Sequence, residues 1–382
     1  MLAANFLLPW VFAVAVTALP SHSVLYARDD SISSNDDPLV FDAAGFPDPM
    51  NLGQTLAGLQ SFVSLHPVDL GVIKGPLSAA LKAIGLSAVA DDITTAANRL
   101  KLAAVIPRSG KQVEVNIDGC NKQLATVGPT SGSPDLGMAL KNVSLGTCDG
   151  SNLTTGTVQL GSSDKRNFQF SVFNSPDSGF GVISDVDDTV KITNVLDKIE
   201  ALKATLFEGP QPVAGMPQLY ASLTKSLHNP AFFYISGSPF QLYPFLHDFI
   251  GTTYSASRGP IFLQNLTLID IPALIDFTKV DGIQVYKDQM IDRIRGMYPH
   301  KKYLMIGDST QRDPESYGDA FRKYGGDTIS CIWIRLVDGA NNTDARFAAA
   351  FQGVPQNRIQ LYNDAQIPAL QNVNVSGGRC TL

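Results

Sequence analysis

The chain has 382 residues, 44% of them apolar and 17% charged, which is ordinary for a globular protein and leaves room for two or three domains. A formal net charge of -6 offers no broad positive field, so a nucleic-acid partner is not expected. Four cysteines without a Cys-x-x-Cys motif, and five scattered histidines (His22, His66, His228, His247 and His300), disfavour a zinc enzyme.

In chain order, the apolar stretch from Phe6 to Leu19 is short for a membrane span and is followed by small and polar residues. It predicts a secretory signal peptide over residues 1–27 and hence a secreted protein, with an uncleaved membrane anchor as the alternative. Asn-x-Ser/Thr sequons at Asn142, Asn152, Asn265, Asn341 and Asn374 fit export. Locality favours the disulfides Cys120–Cys148 and Cys331–Cys380.

Residues 28–50, rich in Asp, Ser and Pro, read as a flexible lead-in. Apolar residues at helical spacing predict a helical segment over 51–106, with packing as its expected role and membrane-surface contact as the sharper alternative. Short alternating segments such as "KQVEVNID" and "NFQFSVFN" predict a small antiparallel β module over 107–175. From residue 176 to 365, apolar runs alternate with helical patterns, which predicts an α/β domain with a doubly wound parallel sheet, followed by a tail over 366–382.

"GVISDVDDTV" (181–190) sets three acids in four positions at the end of an apolar strand. Crowded carboxylates at a core edge repel and lose hydration, a cost that a cation would remove. Asp185 and Asp187 lie two apart on extended backbone and point one way, while Asp188 points the other. Two more buried runs end in polar residues, Ser236 after "FFYI" and Asp308 after "YLMIG". Ligands of open α/β sheets bind beyond the carboxyl ends of strands, so these residues should share a crevice. Asp185, Asp187, Asp308 and Asp313 then form an oxygen-only cage suited to Mg²⁺. Phosphoryl transfer needs a nucleophile, a proton donor and fixed positive charge. Asp185 is the expected nucleophile, Asp187 the acid and base, Ser236 a phosphoryl hydrogen-bond donor, and Lys287 the cation, with Lys279 as the fallback.

In this order, "DVDDT", Ser236, a lysine and "GDSTQRD" resemble the haloacid dehalogenase superfamily of phosphatases. More narrowly, residues 178–325 resemble the catalytic domain of the actin-patch-protein type phosphatidate phosphatase through "SDVDDTVKITNV", "FEGPQPVAGMPQLYASL", "FFYISGSPFQLYPFL" and "MIGDSTQRDPESYGDAF". The resemblance implies a Mg²⁺-dependent phosphomonoesterase forming an aspartyl-phosphate, with phosphatidate or a related lipid phosphate as substrate and membrane-surface contact possible. It places Asp185, Asp187, Thr189, Ser236 and Lys287 at catalytic positions. The chain departs from the family pattern at Gly237, Gln264, Thr310 and Gln311, none of them a proposed chemical group. Two alternatives remain open: a secreted binding or effector protein that uses the fold as a scaffold, and a phosphatase for a soluble phosphomonoester.

Overall fold

The computed structural model describes residues 30–66, 69–83, 86, 93–122, 124–265 and 282–382. The expected signal peptide and Lys279 lie outside the described residues.

Two β-sheets organise the chain. The first is an eight-stranded mixed sheet built from β1 (Asp36–Val40), β2 (Ala43–Pro47), β3 (Thr55–Leu65), β4 (Val113–Ile117), β5 (Ala125–Val127), β6 (Met138–Gly146), β7 (Leu153–Val158) and β8 (Gln169–Asn174). Its pairings are antiparallel except for β2 with β8. This corrects two expectations. Residues 28–50 are not simply a lead-in, because β1 and β2 pair with β3 within the sheet. The acidic composition misleads there: Asp36 is buried against Lys111 Nζ at 3.0 Å and Arg108 Nε at 3.1 Å, so its charge is compensated inside the fold. Residues 51–106 are not helical throughout either, since β3 occupies 55–65 and helices begin only at Gly71. β3 is buried on both faces over Ala57–Leu59 and Ser61–Ser64, and a doubly buried strand loses the period-two signal that distinguishes it from a helix.

The second sheet is parallel throughout, in the order β11 (Ile261–Gln264), β10 (Ala231–Pro239), β9 (Phe180–Asp185), β12 (Lys302–Asp308), β13 (Ile329–Arg335) and β14 (Ile359–Tyr362). Its central strands are near-continuous apolar runs because both faces are covered. Val182, Leu304 and Trp333 point into one core with the helices Lys198–Leu206, Met216–Ser226 and Tyr243–Thr253. Ile183, Met305 and Ile332 point into the other, with the helices Ile283–Met297 and Asp313–Tyr324. Two strands end at one edge, β9 at Asp185 and β12 at Asp308, with Ile235 of β10 beside Asp185.

The tail is part of this core. Leu370, Val373 and Val375 are buried, Cys380 is bonded to Cys331 of β13, and Trp333 Nε1 donates to the Cys380 carbonyl at 2.8 Å. A second disulfide joins Cys120 to Cys148. Replacing Cys331 and Cys380 with Ala together should destabilise the protein by about 3–4 kcal/mol through the freed loop of 49 residues. Denaturant unfolding checks this, and an unchanged midpoint would show that the tail docks by packing alone.

Candidate active site

The carboxyl edge of the parallel sheet gathers buried charge. Asp185, Asp308 and Asp313 offer ligand oxygens that all lie within 4.8 Å of one another. Asp185 and Asp308 arrive from strand ends, and Asp313 opens the Asp313–Tyr324 helix, where its carboxylate Oδ2 accepts from the Asp308 backbone N at 3.0 Å. Gly307 has no side chain for a steric reason: a Cβ there would stand 2.6 Å from the Asp313 Cβ.

Lys287, in the first turns of the 283–297 helix, enters this cluster. Its Nζ donates to Asp185 Oδ1 at 2.7 Å and to Asp313 Oδ1. Burial opposes its charge, but Asp185 and Asp313 outweigh that and hold its pKa above the ordinary value. One lysine does not neutralise three carboxylates. Burial, and next the charge of Asp313, therefore push Asp185 well above the usual carboxylate range, with Lys287 opposing. Burial and Asp313 likewise push Asp308 up to about 7. Asp308 also accepts from Thr189 Oγ1 at 3.0 Å and from the Thr310 backbone N at 2.6 Å. Asp185 Oδ2 is buried and accepts no hydrogen bond. Three buried carboxylates set against one lysine are an all-oxygen donor set with surplus negative charge, which is what a hard divalent cation fits, so the donor set passes that test.

Asp187 stands apart from this cluster. The sequence expectation put its carboxylate in the metal cage, but its Oδ2 accepts from Ser236 Oγ at 2.7 Å and Ser238 Oγ at 2.9 Å, and its Oδ1 from Thr193 Oγ1 at 2.8 Å. Burial opposes ionisation, yet Lys191, 3.6 Å away, and these hydroxyls hold the Asp187 pKa below the ordinary value. Ser236 is thus committed to Asp187. Thr193, Ser238 and the buried Lys191 were not singled out from the sequence, although "VKIT" offered a signal, a lysine set between apolar residues directly after the acids.

Asp188 lies beyond the end of β9 and closes the following loop. It adopts φ 60°, and its carboxylate accepts from the backbone N of Thr193, Asn194 and Val195 at 2.7–2.8 Å. Successive amides around an anion form a rigid nest. That one side chain thus holds three successive amides of the loop that leaves the site.

Without bound metal, stability should fall as pH rises. Asp308 releases its proton near pH 7 when folded and near 3.8 when unfolded, so the folded state binds more protons between these values. Its favourable contribution is complete below the unfolded value and is lost as pH rises through the folded one. Thermal unfolding in chelator from about pH 5 to about pH 8 should show this decline, and Asp308→Asn should flatten it. Equal slopes for both proteins would remove Asp308 as the source.

Comparison with known proteins gives a consistent result. Residues 180–336 match the family model described as Phosphatidate phosphatase APP1, catalytic domain. Phosphatidate phosphatase APP1 of Saccharomyces cerevisiae is 30% identical over 190 residues, covering 48% of this chain and 30% of that protein. An uncharacterized protein of Schizosaccharomyces pombe, C29B5.04c, is 25% identical over 145 residues, covering 37% of this chain and 23% of its own. The matches thus span less than a third of the length of either relative. A solved Bacteroides ovatus GH5 xyloglucanase in complex with a XXXG heptasaccharide aligns over 65% of each chain at 11% identity and a TM-score of 0.17, which carries no argument. The acids, hydroxyls and lysine described above, from Asp185 to Asp313, all lie within the matched segment: residues 180–336 resemble the catalytic domain of the APP1-type phosphatidate phosphatase.

Proposed function

We propose that this protein is a Mg²⁺-dependent phosphatase that hydrolyses phosphatidate, or a related lipid phosphate, through an aspartyl-phosphate on Asp185, using a haloacid dehalogenase-like doubly wound sheet. One observation carries the reading. Asp185 Oδ2 is buried without a partner while Oδ1 is held by Lys287, so one oxygen is oriented and the other is free to attack.

In the first step a bond forms between Asp185 Oδ2 and phosphorus, and the bond from phosphorus to the leaving alcohol oxygen breaks. In the second step water attacks phosphorus, its proton passes to a base, and the Asp185 carboxylate is released with inorganic phosphate. Lys287 fixes Asp185 and places positive charge beside the transferred group. Asp187, held ionised by Lys191 and three hydroxyls, suits the base of the second step; to protonate the alcohol in the first, it must take up a proton and give up hydrogen bonds. Ser236 and Ser238 would be released toward phosphoryl oxygens by the same change. Asp185, Asp308 and Asp313 would hold Mg²⁺, which when bound supplies charge that offsets carboxylate and phosphate repulsion.

Three features bear on the substrate and its setting. Ile192, Leu196 and Ile199 are 39%, 50% and 39% exposed on the segment that leaves the site, which Asp188 holds in place. Leu196 Cδ1 also lies 3.7 Å from where a Cβ on Gly339 would stand, in the loop that follows β13. An apolar rim held outward beside a phosphatase site suits an aggregated lipid substrate. Two disulfides fit an oxidising compartment, and with the apolar start they support export.

Asp185→Asn should abolish turnover and phosphoenzyme, because an amide is a poor nucleophile. Asp187→Asn should lower turnover by roughly 10²–10⁴ and, with an activated aryl phosphate, accumulate phosphoenzyme for lack of a base. Rapid acid quench reads both; labelled protein from Asp185→Asn would overturn the assignment. Replacing Ile192, Leu196 and Ile199 with Ser should lower hydrolysis of vesicle-borne phosphatidate by about tenfold yet spare a short-chain soluble analogue. Parallel loss on both substrates would mean that the rim serves the fold instead.

A further inference from the structure

The 283–297 helix serves two sites. Lys287 reaches the acids, whereas Tyr286, Met290 and Arg293, at i, i+4 and i+7, share another face. That face lines a groove of about 660 Å³ shared with β6 of the mixed sheet and β11 of the parallel sheet. The volume lies within the range of small-molecule sites.

The groove is chemically two-sided. Phe262, Leu263, Met290 and Met138 give it an apolar wall, and Leu140 and Val285 remain 57% and 59% exposed within its lining. Arg293 supplies a guanidinium that stacks 5.2 Å from the Phe262 ring centroid and reaches the Gly58 carbonyl only at 3.4 Å. No ion pair joins it to a carboxylate among the described residues. Asp135, the acid that lines the groove, is engaged by Asn265 Nδ2 at 2.6 Å. Tyr286 Oη and Gln264 Oε1 are shielded from solvent and have no hydrogen-bond partner. A half-buried cation without a counter-ion among the described residues, next to an unsatisfied phenol on an apolar wall, pays desolvation that no described residue returns.

We propose that this groove binds an anionic amphiphile with a single acyl chain, its carboxylate or phosphate paired with Arg293 and hydrogen-bonded by Tyr286, its chain against Phe262, Leu263 and Met290. Arg293 can hold such a head group bidentately, and Gly58 leaves the room: a Cβ there would stand 3.3 Å from the guanidinium. The site is separate from the acidic centre and stands without the phosphatase reading.

The test uses the purified full chain and a dansyl-labelled undecanoate below its critical micelle concentration. Saturable fluorescence enhancement is expected, reversed by laurate and not by dodecanol. Arg293→Met should weaken binding about tenfold or more, the loss of a charge-assisted hydrogen bond, and Arg293→Lys should weaken it less. Tyr286→Phe should weaken it a few-fold, and Asp185→Asn should bind as the wild type does. No saturable binding, equal displacement by laurate and dodecanol, or an Arg293→Met protein that binds undiminished overturns the proposal. If Arg293→Met does not fold, Arg293→Lys and the laurate–dodecanol contrast on the wild type decide it. A change of affinity in Asp185→Asn in either direction would place the probe at the acidic centre and overturn the separate site.

Discussion

The bonds from Lys287 to Asp185 and Asp313 are the constraint around which the α/β domain is arranged. All three groups are buried, and a buried ion pair recovers its desolvation cost only with good geometry and further hydrogen bonds. Parallel pairing of β9 with β12 brings their carboxyl ends together. The register between β9 and β10 sets Asp185 beside Ile235, which leaves Ser236 one step further out, toward Asp187. The two helices that carry Lys287 and Asp313 pack on the same face of the sheet as Ile183 and Met305. Each element holds one member of the charge cluster, so the sheet's hydrophobic packing and its electrostatics require the same arrangement.

A second network keeps the neighbouring acid different. Asp185 and Asp187 are two residues apart and equal in charge, yet their surroundings push them in opposite directions. Burial among other carboxylates raises Asp185, while Lys191 and three hydroxyls overcome burial at Asp187. Divergent environments for paired carboxylates are the usual physical basis for dividing nucleophilic and proton-moving work. Tyr254 helps fix this side of the site by donating to the Val190 carbonyl at 2.7 Å.

The mixed sheet is tied to the α/β domain by polar contacts at buried positions. Tyr298 donates to the Gly45 carbonyl at 2.7 Å, and Tyr243 Oη accepts from the Asp42 backbone N at 2.8 Å. The first adds a second donor to the Gly45 carbonyl of β2, which also accepts from the Ser175 backbone N at 3.0 Å, and the second satisfies the Asp42 amide just before that strand. Residues of β6, β11 and the 283–297 helix line the groove of about 660 Å³. The same helix thus positions Lys287 and forms the wall of a second concavity.

The sequence alone determined the parallel-sheet elements and much of the site, because both follow from local chemistry. Apolar runs that end in Asp185, Ser236 and Asp308 point to a crevice at the strand ends, and the need for a fixed cation points to Lys287 with Lys279 as the fallback; the fold puts Lys287 Nζ 2.7 Å from Asp185 Oδ1. Packing decided what local pattern cannot express. β3 reads as helical because burial on both faces erases alternation, and β1 reads as disordered because the partners of Asp36 lie more than seventy residues away, at Arg108 and Lys111. The separation of Asp187 from the cluster of Asp185, Asp308 and Asp313 also needed three dimensions. Strand alternation sets only the direction of a side chain, whereas the hydroxyls of Thr193, Ser236 and Ser238 that capture it arrive from a loop and a neighbouring strand. The setting of Arg293 was invisible for the same reason: a lone arginine on a helix shows that no carboxylate among the described residues pairs with it only once the chain is folded.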